Sequence, residues 1–333
     1  LNEEGHIGKC LESLIAQDHP ADDHIILVLD GGSSDNSKSE IEQAITHSQQ
    51  INGPKIELID NPGRHVSSAR NLALSLVPHS VTHLVELIGH CIVPNDHIST
   101  RMKSWQKYEL QAKENNSTSL GALGVKVLSR EGVLGIFESW VEGALSSPLG
   151  SGGGQFDNFS SPGKTRIPAF ATHLRSAVQE VGGWDDDFIS CQDSDLSMRM
   201  IEKGYCLMRC PETTVSMAKR TSVTRWWKMG HRYGFWRTKT VLRHPKRISL
   251  REYAPWFGLV FSAVLFALSS EYWIIPAGLY GVVLMVEALR SSISNRRISL
   301  LIGIPICLFM LHTSFSIGLL DGLLRKGKAS SDR

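Results

Sequence analysis

Residues 24–37, HIILVLDGGSSDNS, decide the fold. The apolar run Ile25–Leu29 has the length and composition of a buried strand, and a carboxylate, Asp30, ends it. Gly31 and Gly32 permit a tight turn, and Ser34 and Asp35 open the helical stretch that follows. A carboxylate at the C-terminal end of such a strand can hold a nucleobase or ribose while the glycines let backbone approach a ligand. For Asp30 the functional reading outweighs a plain turn. For Asp35 ligand binding and helix capping stand level.

Outward from this unit the pattern repeats. HIGKCLESLIAQ has apolar residues at helical spacing, KIELIDNP reads as a strand, SSARNLALSLV as a helix and THLVELIGH as a third strand. The alternation predicts an α/β domain over residues 1–220, its sheet mainly parallel and its ligands at the C-terminal strand ends, with a strand cut away before Leu1. The Gly- and Ser-rich residues 147–165 read as a mobile loop over a site. Just before them, GIFESWVEGAL fits either a membrane interface, with Phe137 and Trp140 toward lipid, or a buried helix.

The net charge of +2 hides an asymmetry. From Arg220 onward there are 17 Lys and Arg against 5 Asp and Glu, which from totals of 35 and 33 leaves 18 against 28 before it. The basic residues flank apolar segments, a pattern that fits an anionic membrane face and not nucleic acid. Residues 221–252 are basic and aromatic, 253–324 supply two to three transmembrane helices, and 325–333 form a basic tail. Pro305, His312 and Asp321 interrupt the last apolar run. Arg237, Lys239, Arg243, Lys246, Arg247 and Arg251 precede the first run, and Arg290, Arg296 and Arg297 lie between the second and third. That places the front domain in the cytoplasm. The basic tail conflicts with three simple crossings and leaves open whether the last segment re-enters.

The six cysteines are scattered without zinc spacing, as expected of a reduced compartment. The thirteen histidines form no HExxH, and His65 and His173 read as surface or satisfied core residues. In GGWDDDFISCQDSDLSMRMIEKGY, Asp193 and Asp195 start a helix and Arg199 lies one turn after Asp195, spaced to pair with it. Capping accounts for one acid, and a carboxylate fixed at a helix start beside a cleft suits a general base. In RTSVTRWWKMGHRYGFWR, Trp226, Trp227 and Trp236 suit an interfacial anchor, and Arg232 a reach toward a diphosphate.

In order, LNEEGHIGKCLESLIAQDHP, VLDGGSSDNS, NPGRHVSSARNLAL, SPLGSGGGQF, VGGWDDDF, CQDSDLSMRM and HRYGFWR resemble the motifs of membrane-associated family 2 glycosyltransferases of the GT-A fold, succinoglycan type. The resemblance covers about residues 1–250. It implies a Rossmann-like nucleotide-diphospho-sugar transferase domain followed by C-terminal transmembrane helices, in a multi-pass inner (plasma) membrane protein with its catalytic domain cytoplasmic. It implies inverting transfer of a sugar from a UDP-sugar to a lipid-linked or growing polysaccharide. Asp193 is then the base. Asn2, Glu3, Asp30, Gly31, Asp35, Arg70, Asn71 and Arg232 bind the donor, and Trp184, Asp185 and Asp195 lie on the acceptor side.

The resemblance also implies Mg²⁺ or Mn²⁺, held by an Asp-Gly-His. Here HLVELIGHCIVPNDHI, residues 83–98, keeps Gly89 and His90 but puts Ile88 in the Asp position, which leaves His90 as the metal ligand. Gln192 replaces the usual Glu before the base, Met229 the Gln of the QxxRW-like motif, and Tyr233 its Trp. The alternatives are a catalytically impaired paralogue acting as a scaffold in polysaccharide assembly, and a nucleotidyltransferase, which lacks its Gly-rich basic phosphate loop here.

Overall fold

The computed structural model describes residues 1–116, 118–151, 159–219, 222–269 and 271–326. Most of the loop core expected over 147–165 and most of the basic tail lie outside these. The chain folds as two units, residues 1–131 with 159–218, and residues 132–158 with 219–333. The single domain expected over 1–220 is therefore amended, because 132–158 packs with the C-terminal unit.

In the first unit, helix α1 (Ile7–Ile15) precedes strand β1 (Ile25–Asp30), helix α2 (Ser37–Gln50), strand β2 (Lys55–Asp60) and helix α3 (Val66–Leu76). β1 and β2 pair in parallel from Ile25↔Lys55 to Asp30↔Asp60, as the alternation of elements demands. Strands β3 (His83–Val85) and β4 (Cys91–Ile92), helix α4 (His97–Asn116) and strand β5 (Leu120–Ser129) follow. α1 buries Ile7, Cys10, Leu11 and Leu14 in a core shared with Ile26 and Ile56 of β1 and β2 and with Leu120 and Leu123 of β5.

The remaining strands correct the expectation of a mainly parallel sheet. After helices α5 (Ile136–Ser146) and α6 (Pro148–Ser151) come strands β6 (Gly163–Lys164) and β7 (Thr172–Leu174), helices α7 (Arg175–Glu180) and α8 (Gln192–Glu202), and strand β8 (Cys206–Met217). Among the described residues the larger sheet runs β3-β7-β5-β8-β4 with β6 on β8. Only β5 and β8 pair in parallel there; β3 and β5 both run antiparallel to the short β7 between them. A strand of three residues carries too little periodicity to reveal its direction in the sequence.

The second unit is helical: α5 and α6 with α9 (Val223–Arg243), α10 (Leu250–Ala267), α11 (Ile274–Asn295) and α12 (Leu300–Leu324). α5 is a packed helix: Val141 and Ala144 are fully buried with Ile304, Cys307 and Leu308 of α12. Burying each such Val, Ile or Leu contributes roughly 1.5–3 kcal/mol. That apolar seam draws 132–158 out of the first unit. α12 is one continuous helix through Pro305, and within it His312 bonds the Tyr280 hydroxyl and the carbonyl of Leu149.

α9 and α12 approach almost to backbone contact. A Cβ on Gly234 would stand 2.0 Å from the carbonyl oxygen of Phe315, and one on Gly318 2.1 Å from that of His231. Trp226 donates its indole N–H to the Cys307 carbonyl and Thr238 its hydroxyl to that of Leu319. Two helices, 271–295 with its leading turn and 300–324, are long and apolar enough to cross a membrane; the apolar part of α10 is shorter.

Gly318→Ala should force α9 and α12 apart and destabilise the second unit by about 1–3 kcal/mol. Thermal unfolding in detergent checks this, and an unchanged midpoint would contradict the close approach.

Candidate active site

The strand end at Asp30 is built by a tight set of bonds. Asp30 is buried, and its Oδ2 accepts the N–H groups of Gly32 at 3.1 Å and Ser33 at 2.8 Å. The Ser33 hydroxyl donates to Oδ1, and Lys38 lies 3.7 Å from Oδ2. Burial alone would raise this carboxyl, but the bonds from Ser33 and Gly32 and the charge of Lys38 hold it below the usual carboxylate range. Gly32 has φ +89°, which a side chain would strain. Asp30 therefore shapes the turn itself.

The first residues of the chain are stitched to this turn. Asn2 donates its backbone N–H to Ser33 Oγ and accepts that of Ser34 on its side chain, each at 2.9 Å. Glu3 donates its N–H to Ser37 Oγ at 2.7 Å, and Asp35 accepts those of Glu4 and Ser37. Asp35 thus does the capping work of the bland reading. Arg64, a non-glycine at φ +59°, donates its Nε–H to the Gly31 carbonyl at 3.2 Å from the residue before the N-cap of α3. Sequence reasoning passed over Arg64, because a single exposed Arg in a loop carries no pattern.

Six residues on, Arg70 anchors the second cluster. Its Nη2 lies 2.7 Å from Glu86 Oε2 and its Nη1 bonds Asp193 Oδ1, so one guanidinium joins the end of β3 to the first turn of α8. Across Glu86, His173 Nε2 of β7 stands 3.0 Å from Oε1. The His173 ring meets Trp184 edge-on at 5.7 Å, and the Arg70 guanidinium lies 5.6 Å from the centre of the same indole. Asn71 completes the frame: its amide donates to the Trp184 carbonyl at 2.7 Å and accepts the Trp184 N–H at 2.9 Å.

The charges in this cluster oppose one another. Burial would raise Glu86, but Arg70 and His173 outweigh it and hold it below the usual range. For Asp193, partial desolvation among its neighbours and the negative charge of Glu86 win over Arg70, and its carboxyl is pushed up. A raised pKa makes a carboxylate a stronger base. The Asp193 side chain is 44% exposed, so solvent or a ligand reaches it.

Glu86 and His173 were missed as members of this site. Their signal, an acid upstream of Ile88 and an isolated His, means nothing until the sheet brings them together. Two expected acceptor-side residues are corrected. Trp184 is buried beneath Arg70 and His173, and Asp195 is fully buried with its carboxylate 2.8 Å from Arg199, which also bonds the carbonyls of Val181 and Gly183. Both brace the loop; the exposed edge belongs to Asp186 and Asp187, with Asp185 half-buried. Asp185 caps the Asp187 N–H at 2.8 Å. Arg232 lies in the second unit, on α9, with its guanidinium 5.9 Å from the centre of the Tyr233 ring.

Among the described residues no three His, Cys, Asp or Glu gather as a ligand set, and Ile88 packs on the apolar core. His90 Nδ1 lies 3.0 Å from both carboxylate oxygens of Glu3. A carboxylate accepting Nδ1–H leaves Nε2 as the bare lone pair, the arrangement of metal-bound histidines. Burial would raise Glu3, but the hydrogen bond from His90 outweighs that and holds the carboxyl down. One oriented ligand fits a divalent ion whose other ligands come from a bound diphosphate and water.

An α/β unit with a glycine turn at one strand end and an oriented carboxylate at a helix start is the arrangement expected of nucleotide-sugar transferases. Residues 1–111 match the family model "Glycosyl transferase family 2". The succinoglycan biosynthesis protein ExoA of Rhizobium meliloti (strain 1021) is 24% identical over 282 residues, 84% of this chain and 80% of that one. A dolichyl N-acetyl-alpha-D-glucosaminyl phosphate 3-beta-D-2,3-diacetamido-2,3-dideoxy-beta-D-glucuronosyltransferase of Methanococcus voltae is 24% identical over 329 residues, 98% of this chain and 95% of that one. The mannosyltransferase PcManGT of Pyrobaculum calidifontis, solved with GDP-Man and Mn²⁺, matches with a TM-score of 0.62 at 15% identity, covering 98% of this chain and 85% of that one. The fold is GT-A, and the chain is a glycosyltransferase with a family 2 domain at residues 1–111.

Asn71→Ala removes both bonds to the Trp184 backbone and should destabilise the first unit by about 1–3 kcal/mol. Amide exchange should quicken selectively over residues 182–188; exchange spread evenly over the unit would deny Asn71 this role.

Proposed function

We propose that the chain is an inverting transferase moving a sugar from a UDP-sugar to a lipid-linked or growing saccharide at the cytoplasmic face of the inner membrane. The observation that carries this reading is Asp193: a partly exposed carboxylate at a helix start, oriented by Arg70 and pushed up by partial desolvation and by the charge of Glu86. With Oδ1 engaged by Arg70, Oδ2 is left to take the proton of an acceptor hydroxyl. The oxygen then attacks the anomeric carbon, the bond from that carbon to the diphosphate breaks, and the configuration inverts.

On the donor side, Asn2, Glu3, Asp30, Gly31 and Asp35 build one continuous turn suited to the nucleoside. The N-terminus of α3, beside Arg64, offers backbone N–H groups and a partial positive charge to a diphosphate. Asn71 supports this side indirectly through the Trp184 backbone, and Arg232 is assigned to the diphosphate by its motif. His90, oriented by Glu3, would hold Mg²⁺ or Mn²⁺, which when bound offsets the charge of the leaving diphosphate. Asp185 is kept on the acceptor side. The two apolar helices and the lipid-linked substrate in the Methanococcus relative's name support the acceptor class.

The loss of an acid at Ile88 favours a second reading, a paralogue that binds donor without turning it over. The two separate on one measurement. Asp193→Asn should lower UDP release from a UDP-sugar by about 10²–10⁴-fold while UDP binding persists. Absence of turnover in the wild type with every donor offered would favour the second reading.

Glu86→Gln supplies a check through pH. The base works ionised, and removing a negative charge beside Asp193 lowers its pKa. The acid limb of kcat/KM should therefore move to lower pH. A limb that stays in place or moves up would remove Glu86 from the control of Asp193.

A further inference from the structure

We infer that α12, the most apolar helix of the chain, does not cross the bilayer: both of its ends lie on the same side, and it rests in one leaflet beside α9. The first support is the partner it packs against. Contacts advance together along both helices, from Trp226 on Cys307, through Gly230 on Ser314 and His231 on Gly318, to Thr238 on Leu319 and Gly322. α9 and α12 therefore run parallel and nearly in backbone contact over the C-terminal half of α12. Whatever depth that half reaches, α9 between Trp226 and Thr238 reaches as well.

That stretch of α9 carries Lys228, Arg232 and Arg237 within three helical turns. Arg237 is engaged by Glu252 at 3.0 Å, and Arg232 is only half-buried. Cations at mid-bilayer are strongly disfavoured, and two or three together on one helix exclude crossing. At the headgroup level the same residues are favoured, because long basic side chains reach lipid phosphates. Of the aromatic residues expected as interfacial anchors, Trp226 and Trp236 are instead buried inside the unit and only Trp227 is exposed. α9 is a helix for the interface, and α12 is bound to it.

The second support is independent and comes from charge outside the helix. Arg290, Arg296 and Arg297 precede α12, and Arg325, Lys326, Lys328 and Arg333 follow it. Basic residues accumulate on the cytoplasmic side of apolar segments. A spanning α12 would place one of these clusters on the far side; a helix in one leaflet places both on the near side. Its own composition agrees. One face is buried against α5, α9 and α11, and the other exposes Ile302, Ile306, Phe309, Ile317, Leu320 and Leu323 to lipid.

The test is labelling of Ser299→Cys and Lys326→Cys, placed at the two ends of α12, with a membrane-impermeant maleimide. Right-side-out and inverted membrane vesicles carrying the full chain are compared, wild type serving as the blank for the native cysteines. Both positions should react in the same vesicle orientation and stay silent in the other. Reaction in opposite orientations would overturn the inference. Silence at either position in both orientations until detergent is added would bury that end in hydrocarbon and overturn it too.

Discussion

A single guanidinium holds the polar cluster of the first unit together. Arg70 sits between two carboxylates that would otherwise repel each other, one at the end of β3 and one in the first turn of α8. Without the cation, Glu86 and Asp193 could not both remain ionised in a partly desolvated site. With it, Glu86 stays charged and transmits that charge to Asp193, raising the basicity of the group left open to solvent. Asn71, the next residue on α3, fixes the loop that roofs the cluster through the Trp184 backbone. Two neighbouring side chains on one helix thus place Asp193, the acid that raises it and the loop that covers both.

Much of this was legible in the sequence, and the reasons are local. The strand–acid–glycine–helix order around Asp30 uses signals that act within a few residues, so β1, its turn and α2 stand where the pattern puts them. Arg199 pairs with Asp195 as one-turn spacing requires. What escaped depends on distance along the chain. Glu86 and His173 meet only because β3 and β7 pair antiparallel, and strands of three residues announce neither partner nor direction. Trp184 and Asp195 were assigned outward roles because a sequence does not say which side of a loop is inside. Helix α5 was ambiguous for the same reason, since Val141 and Ala144 suit lipid as well as they suit Ile304.

The substitution at Ile88 acquires a physical setting. Its side chain is absorbed by the core around α1, while the His90 imidazole turns to the Glu3 carboxylate. The stretch that in the resemblance carries a metal carboxylate is here divided between packing and one oriented nitrogen. The negative charge of this strand lies two residues earlier, at Glu86, where Arg70 and His173 engage it.

Arg64 ties the Asp30 turn and α3 into one mechanical piece. Its left-handed backbone and its bond to the Gly31 carbonyl fasten that turn to the start of α3, and from the N-cap to Arg70 the helix rises only about 7.5 Å. A short rigid strut of this kind shares displacement between its ends, so whatever shifts the glycine turn is handed on to Arg70 and the two carboxylates it bonds.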